Sequence, residues 1–253
     1  MNLQAQLFFH KNSSKIFFVL FIFVFLLQIN FWLKTEYIKP TYEVVPPAPS
    51  HNFLSATSFG DKEFLFRALA FRLQNSGDVY AGGMISLKDY NYSHLYDWLK
   101  ALDSLNSKSN LMPSLASYYF SQSQNKLDST YVVRYLEEHA SANLDVKWWW
   151  IFQAINIARD DLRDNDLALR LAYKLAENNS KDAPLWTKQM PAFIYAKQGE
   201  GCMAFKVIKS LIAENASGKR QISAEEMNFM HYFIETRLKK LKNQNFDPRK
   251  CQN

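Results

Sequence analysis

Apolar positions along this chain follow two rhythms. Residues 16 to 33, IFFVLFIFVFLLQINFWL, form one run in which only Gln28 and Asn30 are polar. Beyond Asp61, apolar residues recur every three or four positions, the spacing that gathers them on one face of a helix. Phe64, Leu65, Ala68, Leu69 and Leu73 make the first stripe, behind Asp61 as N-cap, and Gly77 ends it. From Ser93 the pattern divides into four helix pairs, with starts expected near residues 93, 129, 165 and 201. Leu95, Trp98, Leu99, Leu102 and Leu105 stripe the first helix of the first pair. Leu167, Ala168, Leu171, Ala172 and Leu175 stripe that of the third. Ser223-Ala-Glu-Glu226 is a capping box and opens the last helix, which runs to about Leu241.

The segment from Trp148 to Leu211 nearly repeats itself at a shift of 36 residues, placing Trp150 on Trp186, Ile157 on Phe193, Arg163 on Gly199, Ala168 on Ala204 and Leu175 on Leu211. A helical pattern with such a period predicts stacked helix pairs. The unit resembles the tetratricopeptide repeat, whose pattern sets an aromatic late in one helix, then glycine, then alanine five positions on. Tyr195, Gly199 and Ala204 match it. In the preceding unit Ala168 matches, but Arg163 stands where glycine is usual. The match covers residues 148 to 213 and is loose elsewhere. It implies an all-α, tetratricopeptide-like solenoid whose pairs build a groove for a peptide or a partner helix.

The long apolar run changes the picture of where this array sits. Eighteen charge-free residues span about 27 Å as a helix, close to the hydrocarbon thickness of a bilayer. Lys11 and Lys15 precede it, and Trp32, Lys34 and Tyr37 follow at headgroup level. A cleaved signal peptide is the competing reading, but bulky Gln28-Ile-Asn-Phe-Trp offers no small-residue cleavage site. The organisation expected is a short tail over residues 1–15, a single transmembrane helix over 16–34 and a proline-rich spacer over 35–57. A capping helix with a long loop follows over 58–92, then repeats over 93–241 and a basic tail over 242–253. Basic residues tie across the span. The short N-terminal tail favours an N-terminus in the cytoplasm and the domain outside, in the periplasm of a bacterial inner membrane.

Composition narrows the chemistry. The formal charge of +6 comes from 30 basic and 24 acidic residues, interspersed as on solvated helix faces rather than gathered into a nucleic-acid patch. No two of the five histidines lie three or four residues apart, and the two cysteines lack metal spacing, so no metal or cofactor is expected. Gly82-Gly83 is not a phosphate loop, and there is no G-x-S-x-G. A wall-cleaving helical enzyme would need a positioned glutamate; Glu137-Glu138, Glu177 and Glu225-Glu226 are candidates, and each is expected on an exposed helix face. Pro191 predicts a kink or break near Gln189.

Three positions carry the candidate chemistry of binding, and a pair of cysteines that of stability. Trp148, Trp149 and Trp150 point about 100° apart on a helix, so at least one must face a neighbouring pair or the groove. Trp148, Trp149 and Tyr195 are the candidate partner-binding residues. Cys202 and Cys251 can pair in an oxidising compartment and staple the basic tail to the fourth pair. The task expected is a non-enzymatic one: a scaffold or assembly factor that holds a protein partner at the membrane, with neither nucleic acid nor small-molecule substrate. A chaperone-like holder of translocating chains is the alternative, and a wall-active enzyme the third.

Overall fold

The computed structural model describes residues 3–35, 43–78, 84–178, 180, 182–240 and 248–251. The chain divides into two compact units, Met1–Tyr42 and Glu43–Asn253. Among the described residues all regular structure is helical.

The first unit is one helix, α1 (Leu3–Thr35). Its segment Lys15–Thr35 has a mean hydropathy of 2.6 and buries nothing against protein. Apolar side chains emerge on every side, which suits a lipid surround and not a half-buried core position. It is long and apolar enough to cross a membrane. The helix already begins at Leu3, so most of the short tail expected over residues 1–15 is continuous with it.

The second unit starts earlier than the sequence pattern suggested. A short helix, α2 (His51–Thr57), lies within the stretch read as spacer, and Val45 and Leu54 are buried in the core. The proline-rich segment is not a free tether either. Trp98 Nε1 donates to the Pro46 carbonyl at 2.7 Å, His94 Nδ1 lies 3.0 Å from the Val45 carbonyl, and Asn91 Nδ2 donates to Glu43 Oε1 at 2.9 Å. These carbonyls lie outside any helix, and side chains later in the chain supply their donors. Residues 36–42 of the expected spacer lie outside the described residues.

Helix α3 (Lys62–Gln74) opens where expected, with Asp61 Oδ1 accepting from the Phe64 amide at 2.9 Å. Its buried face differs from the stripe expected: Phe66, Ala70 and Leu73 are buried, while Phe64 and Ala68 are exposed. Apolar residues occur around most of this helix, so spacing alone could not choose between faces. The loop after it contains Gly77, whose added Cβ would sit 2.3 Å from Tyr90 Oη; only glycine permits that approach. Gly82 and Gly83 lie outside the described residues.

The remaining helices are α4 (Tyr92–Leu105), α5 (Leu111–Ser114), α6 (Lys126–Ser141), α7 (Leu144–Ile157), α8 (Asn165–Ala176), α9 (Trp186–Gln198), α10 (Gly201–Ala216) and α11 (Ala224–Tyr232). First helices of the pairs thus start at 92, 126, 165 and 201. Side chains of Asn91, Asn125 and Asp164 cap three of them. The second helices α5, α7 and α11 each pass into a wider π turn, over Leu115–Tyr119, Ala158–Leu162 and Phe233–Arg237. From α6 to α10 each helix packs on its sequence neighbours, and α4 packs on α6.

The 36-residue correspondence has a backbone counterpart. Arg163 (φ 56°, ψ 32°) and Gly199 (φ 84°, ψ 4°) both end a helix in the left-handed conformation, and the next helix starts two residues later in each case. Ala168 and Ala204 are both fully buried, as small residues at close helix contacts should be. The tryptophans correspond less well: Trp150 lies inside α7, whereas Trp186 is the first residue of α9. Pro191 causes no break. Helix α9 runs through it to Gln198, because proline there removes only the bond to the Thr187 carbonyl while both flanks are held in the core.

The core forms two clusters. One extends from Val45 to Ile194, and the other joins α9, α10 and α11 with Leu238 and Cys251. A disulfide links Cys202 on α10 to Cys251 in a short turn, Pro248–Cys251. Cys251 is buried, so this part of the expected basic tail is a core element; residues 241–247 lie outside the described residues.

Candidate partner-binding surface

Helices α7, α9 and α11 carry two groups of contacting aromatic rings. Trp150, buried, points into the core and donates from Nε1 to Asn110 Oδ1 at 3.3 Å. Trp148, half-buried, packs edge-on against Trp186 of α9 at 5.7 Å between centroids. Trp149 is turned outward, 38% exposed, and donates from Nε1 to the Tyr118 hydroxyl at 3.0 Å. Phe152, one turn on, touches both Trp149 (5.2 Å) and Trp186 (4.9 Å). Further along, Phe193 of α9 contacts Phe229 and Phe233. Mostly edge-on packing of this kind satisfies the ring quadrupoles and holds each ring rigid. The three consecutive tryptophans therefore divide as their 100° spacing requires: one to the core, one to the next pair, one to the surface.

Tyr195 belongs elsewhere. It lies nine residues beyond Trp186 on α9, about 13 Å along the axis and half a turn round. It is buried, and its hydroxyl shares a hydrogen bond of 3.3 Å with that of Tyr173. That bond to its neutral form, together with burial, pushes its pKa up to about 12. The structure thus brings Trp148 and Trp149 together and leaves Tyr195 as a packing residue between α8 and α9. Tyr118 and Phe152 join the surface without having been singled out in the sequence. Phe152 had a signal, standing four residues after Trp148; Tyr118 had none.

The first helices carry charge instead. Glu138 on α6 accepts from Tyr96 and Lys100 of α4 and from Arg134. Glu137 is gripped by Arg170 through two bonds of 2.6 and 2.8 Å and by Lys174, both on α8. Its carboxyl is not on an exposed face, as the sequence suggested, but only 17% exposed. The Arg170 guanidinium, opposed by burial and aided by Lys174, lowers its pKa to about 2. A carboxylate so held is a strut and a poor proton donor. Glu177 and Glu225–Glu226 lie at helix ends.

Between α4 and α6, His139 Nδ1 meets Asp103 Oδ2 at 2.5 Å, and Tyr135 donates to the other oxygen of Asp103 at 3.0 Å. The His139 side chain is fully buried and its Nε2 has no hydrogen-bond partner among the described residues. Asp103 orients the ring as it would a catalytic imidazole, but no solvent or substrate reaches Nε2, and the pair serves to lock two helices. A shallow polar recess beside the left-handed turns is lined by Arg163, Asp164, Asn165, Asp166, Gln198 and Glu200. Among the described residues no group of three or more His, Cys, Asp or Glu side chains is placed to hold a metal. No family model, curated protein or solved structure matches the chain.

Proposed function

We propose that this chain is a membrane-tethered protein-interaction scaffold or assembly factor, holding a partner on the aromatic surface of a tetratricopeptide-like array. The observation that carries the reading is the pair Trp149 and Tyr118, 38% and 55% exposed and hydrogen-bonded to each other, with Trp149 packed on Trp148 and Phe152, which in turn meet Trp186. A rigid, half-exposed tryptophan loses little entropy on contact, and tryptophan and tyrosine are both enriched among interface hot spots. The 36-residue correspondence supports the array. Helix α1 supports the tether, which raises the partner's effective concentration without adding a contact. The Cys202–Cys251 disulfide supports a domain on the oxidising side of the membrane, the periplasm of a bacterial cell.

The test is to crosslink cells expressing the tagged full-length chain, solubilise in mild detergent and identify what co-purifies, beside the Trp149→Ala variant. One dominant set of proteins at constant ratio, lost in the variant, is expected. A broad range of unrelated envelope proteins would instead indicate a chaperone-like holder. Recovery of the chain alone would sink both readings.

A further inference from the structure

Helix α3 carries more apolar side chains than its core contact uses. Its inner face buries Phe66, Ala70 and Leu73. On the opposite side Phe64, Ala68 and Phe71 fall within about 60° of one another, at 100° per residue. All three are exposed, Phe64 and Phe71 by 70% and 71%. The turn entering the helix adds Phe59, 94% exposed and held at φ 47°, a conformation disfavoured for a bulky side chain. Arg67 and Arg72 flank the ridge, roughly 60° to one side of Phe64 and 80° to the other. Arg67 shares its charge with Glu63 at 2.6 Å, yet 73% of its side chain stays exposed.

A phenylalanine ridge between two arginines is the pattern of a helix lying in a membrane interface. The rings enter the acyl boundary, and the guanidinium groups reach back to lipid phosphates. Only residues 36 to 42 separate Thr35 of α1 from Glu43, the first residue of the unit that carries α3, a reach of at most about 27 Å. Cationic flanks on both sides suit a phosphate-lined plane. They oppose a second copy, whose own arginines would face these. We propose that α3 and its entering turn dock on an anionic bilayer surface, with Phe59, Phe64 and Phe71 inserted and Arg67 and Arg72 on lipid phosphates. This rests on the reading of α1 as a membrane span.

The experiment uses the full chain, disulfide intact, in liposomes of phosphatidylcholine and phosphatidylglycerol doped with nitroxide-labelled lipid. An environment-sensitive fluorophore is placed singly at Ala68→Cys on the ridge, at Phe25→Cys in α1 and at Leu127→Cys, an exposed control on α6. Quenching at 68 and 25 but not at 127 is expected. The signal at 68 should fall to the control level in Phe64→Ser/Phe71→Ser, in Arg67→Glu/Arg72→Glu and in liposomes without phosphatidylglycerol. Quenching at 25 alone overturns the docking and leaves the span standing, whereas quenching at 68 alone keeps the docking and removes the span. A fluorophore at 68 shielded from aqueous iodide yet untouched by nitroxide lipid marks a protein cover, and overturns the proposal in favour of a partner or a second copy.

Discussion

The two ends of the helical domain are finished in opposite ways. At the C-terminal end Met230, Phe233, Leu238 and Cys251 are buried on α10 and its neighbours, and a disulfide ties the closing turn down. At the N-terminal end α3 packs on α4 through one face and leaves Phe64 and Phe71 in solvent on the other. A helix at either end of the domain has no further helix on its outer side. One solution makes the outer layer cling more tightly to the core. The other leaves the outer layer apolar, which is costly in water unless something covers it. The contrast separates residues that hold the fold from residues that await a surface.

The largest effect expected tests the closed end. The disulfide closes a loop with a sequence separation of 49, which constrains the unfolded chain by about 4 kcal/mol in the loop-entropy account. Cys202→Ser/Cys251→Ser should lower unfolding stability by an amount approaching that, read by urea denaturation of the detergent-solubilised chain. Phe64→Ser/Phe71→Ser at the open end should change it by no more than about 0.5 kcal/mol, as exposed positions do. Comparable losses at both ends would break the contrast and mean that Phe64 and Phe71 are structural.

Next in size is the middle of the domain, where α8 packs on both α7 and α9. Leu171 is fully buried, and Leu171→Ala should cost about 3 kcal/mol through lost transfer and a residual cavity. A loss below about 1 kcal/mol would mean that α8 is packed as loosely as an end helix.

Between these extremes lies Glu137, which couples α6 to α8 by charge. Its pKa is lowered from 4.5 to about 2, chiefly by Arg170. A depressed carboxyl contributes stability above its unfolded pKa and loses it as pH falls through the folded value. Wild type should therefore exceed Glu137→Gln by about 1 kcal/mol at neutral pH, a figure kept small because Arg170 is half-exposed. That margin should vanish as pH falls from about 5 to about 2. A margin independent of pH would assign the effect to packing and not to the ion pair.

The middle of the domain was more legible in the sequence than its ends. Where a helix buries one clean stripe, as α8 does with Ala168, Leu171, Ala172 and Leu175, spacing finds both the helix and its face. In α3 the apolar residues surround the axis, so the pattern found the helix and its Asp61 cap but favoured Phe64 and Ala68 over Phe66 and Ala70. The fold of the proline-rich segment onto α4 was invisible, because it depends on Trp98 and His94 meeting backbone carbonyls about fifty residues away. The surface was half legible. Three adjacent tryptophans force divergence on any helix, which located Trp149, but nothing local couples Trp149 to Tyr118 or removes Tyr195 from its company.

The smallest effect lies in the correspondence that first ordered the chain. Arg163 and Gly199 end their helices in the same left-handed conformation. Glycine adopts it freely, whereas a residue with a Cβ is disfavoured by about 1 kcal/mol. Arg163→Gly should therefore raise stability by up to about 1 kcal/mol, less the entropy glycine adds to the unfolded chain. Gly199→Ala should lower it by a similar amount, although a Cβ at Gly199 meets nothing within 4 Å. The two substitutions share one cause and carry opposite signs, so thermal melts of the pair are informative together. If both lowered stability, Arg163 would be held by contacts of its own, and the equivalence of the two turns would be one of shape without a shared energetic basis.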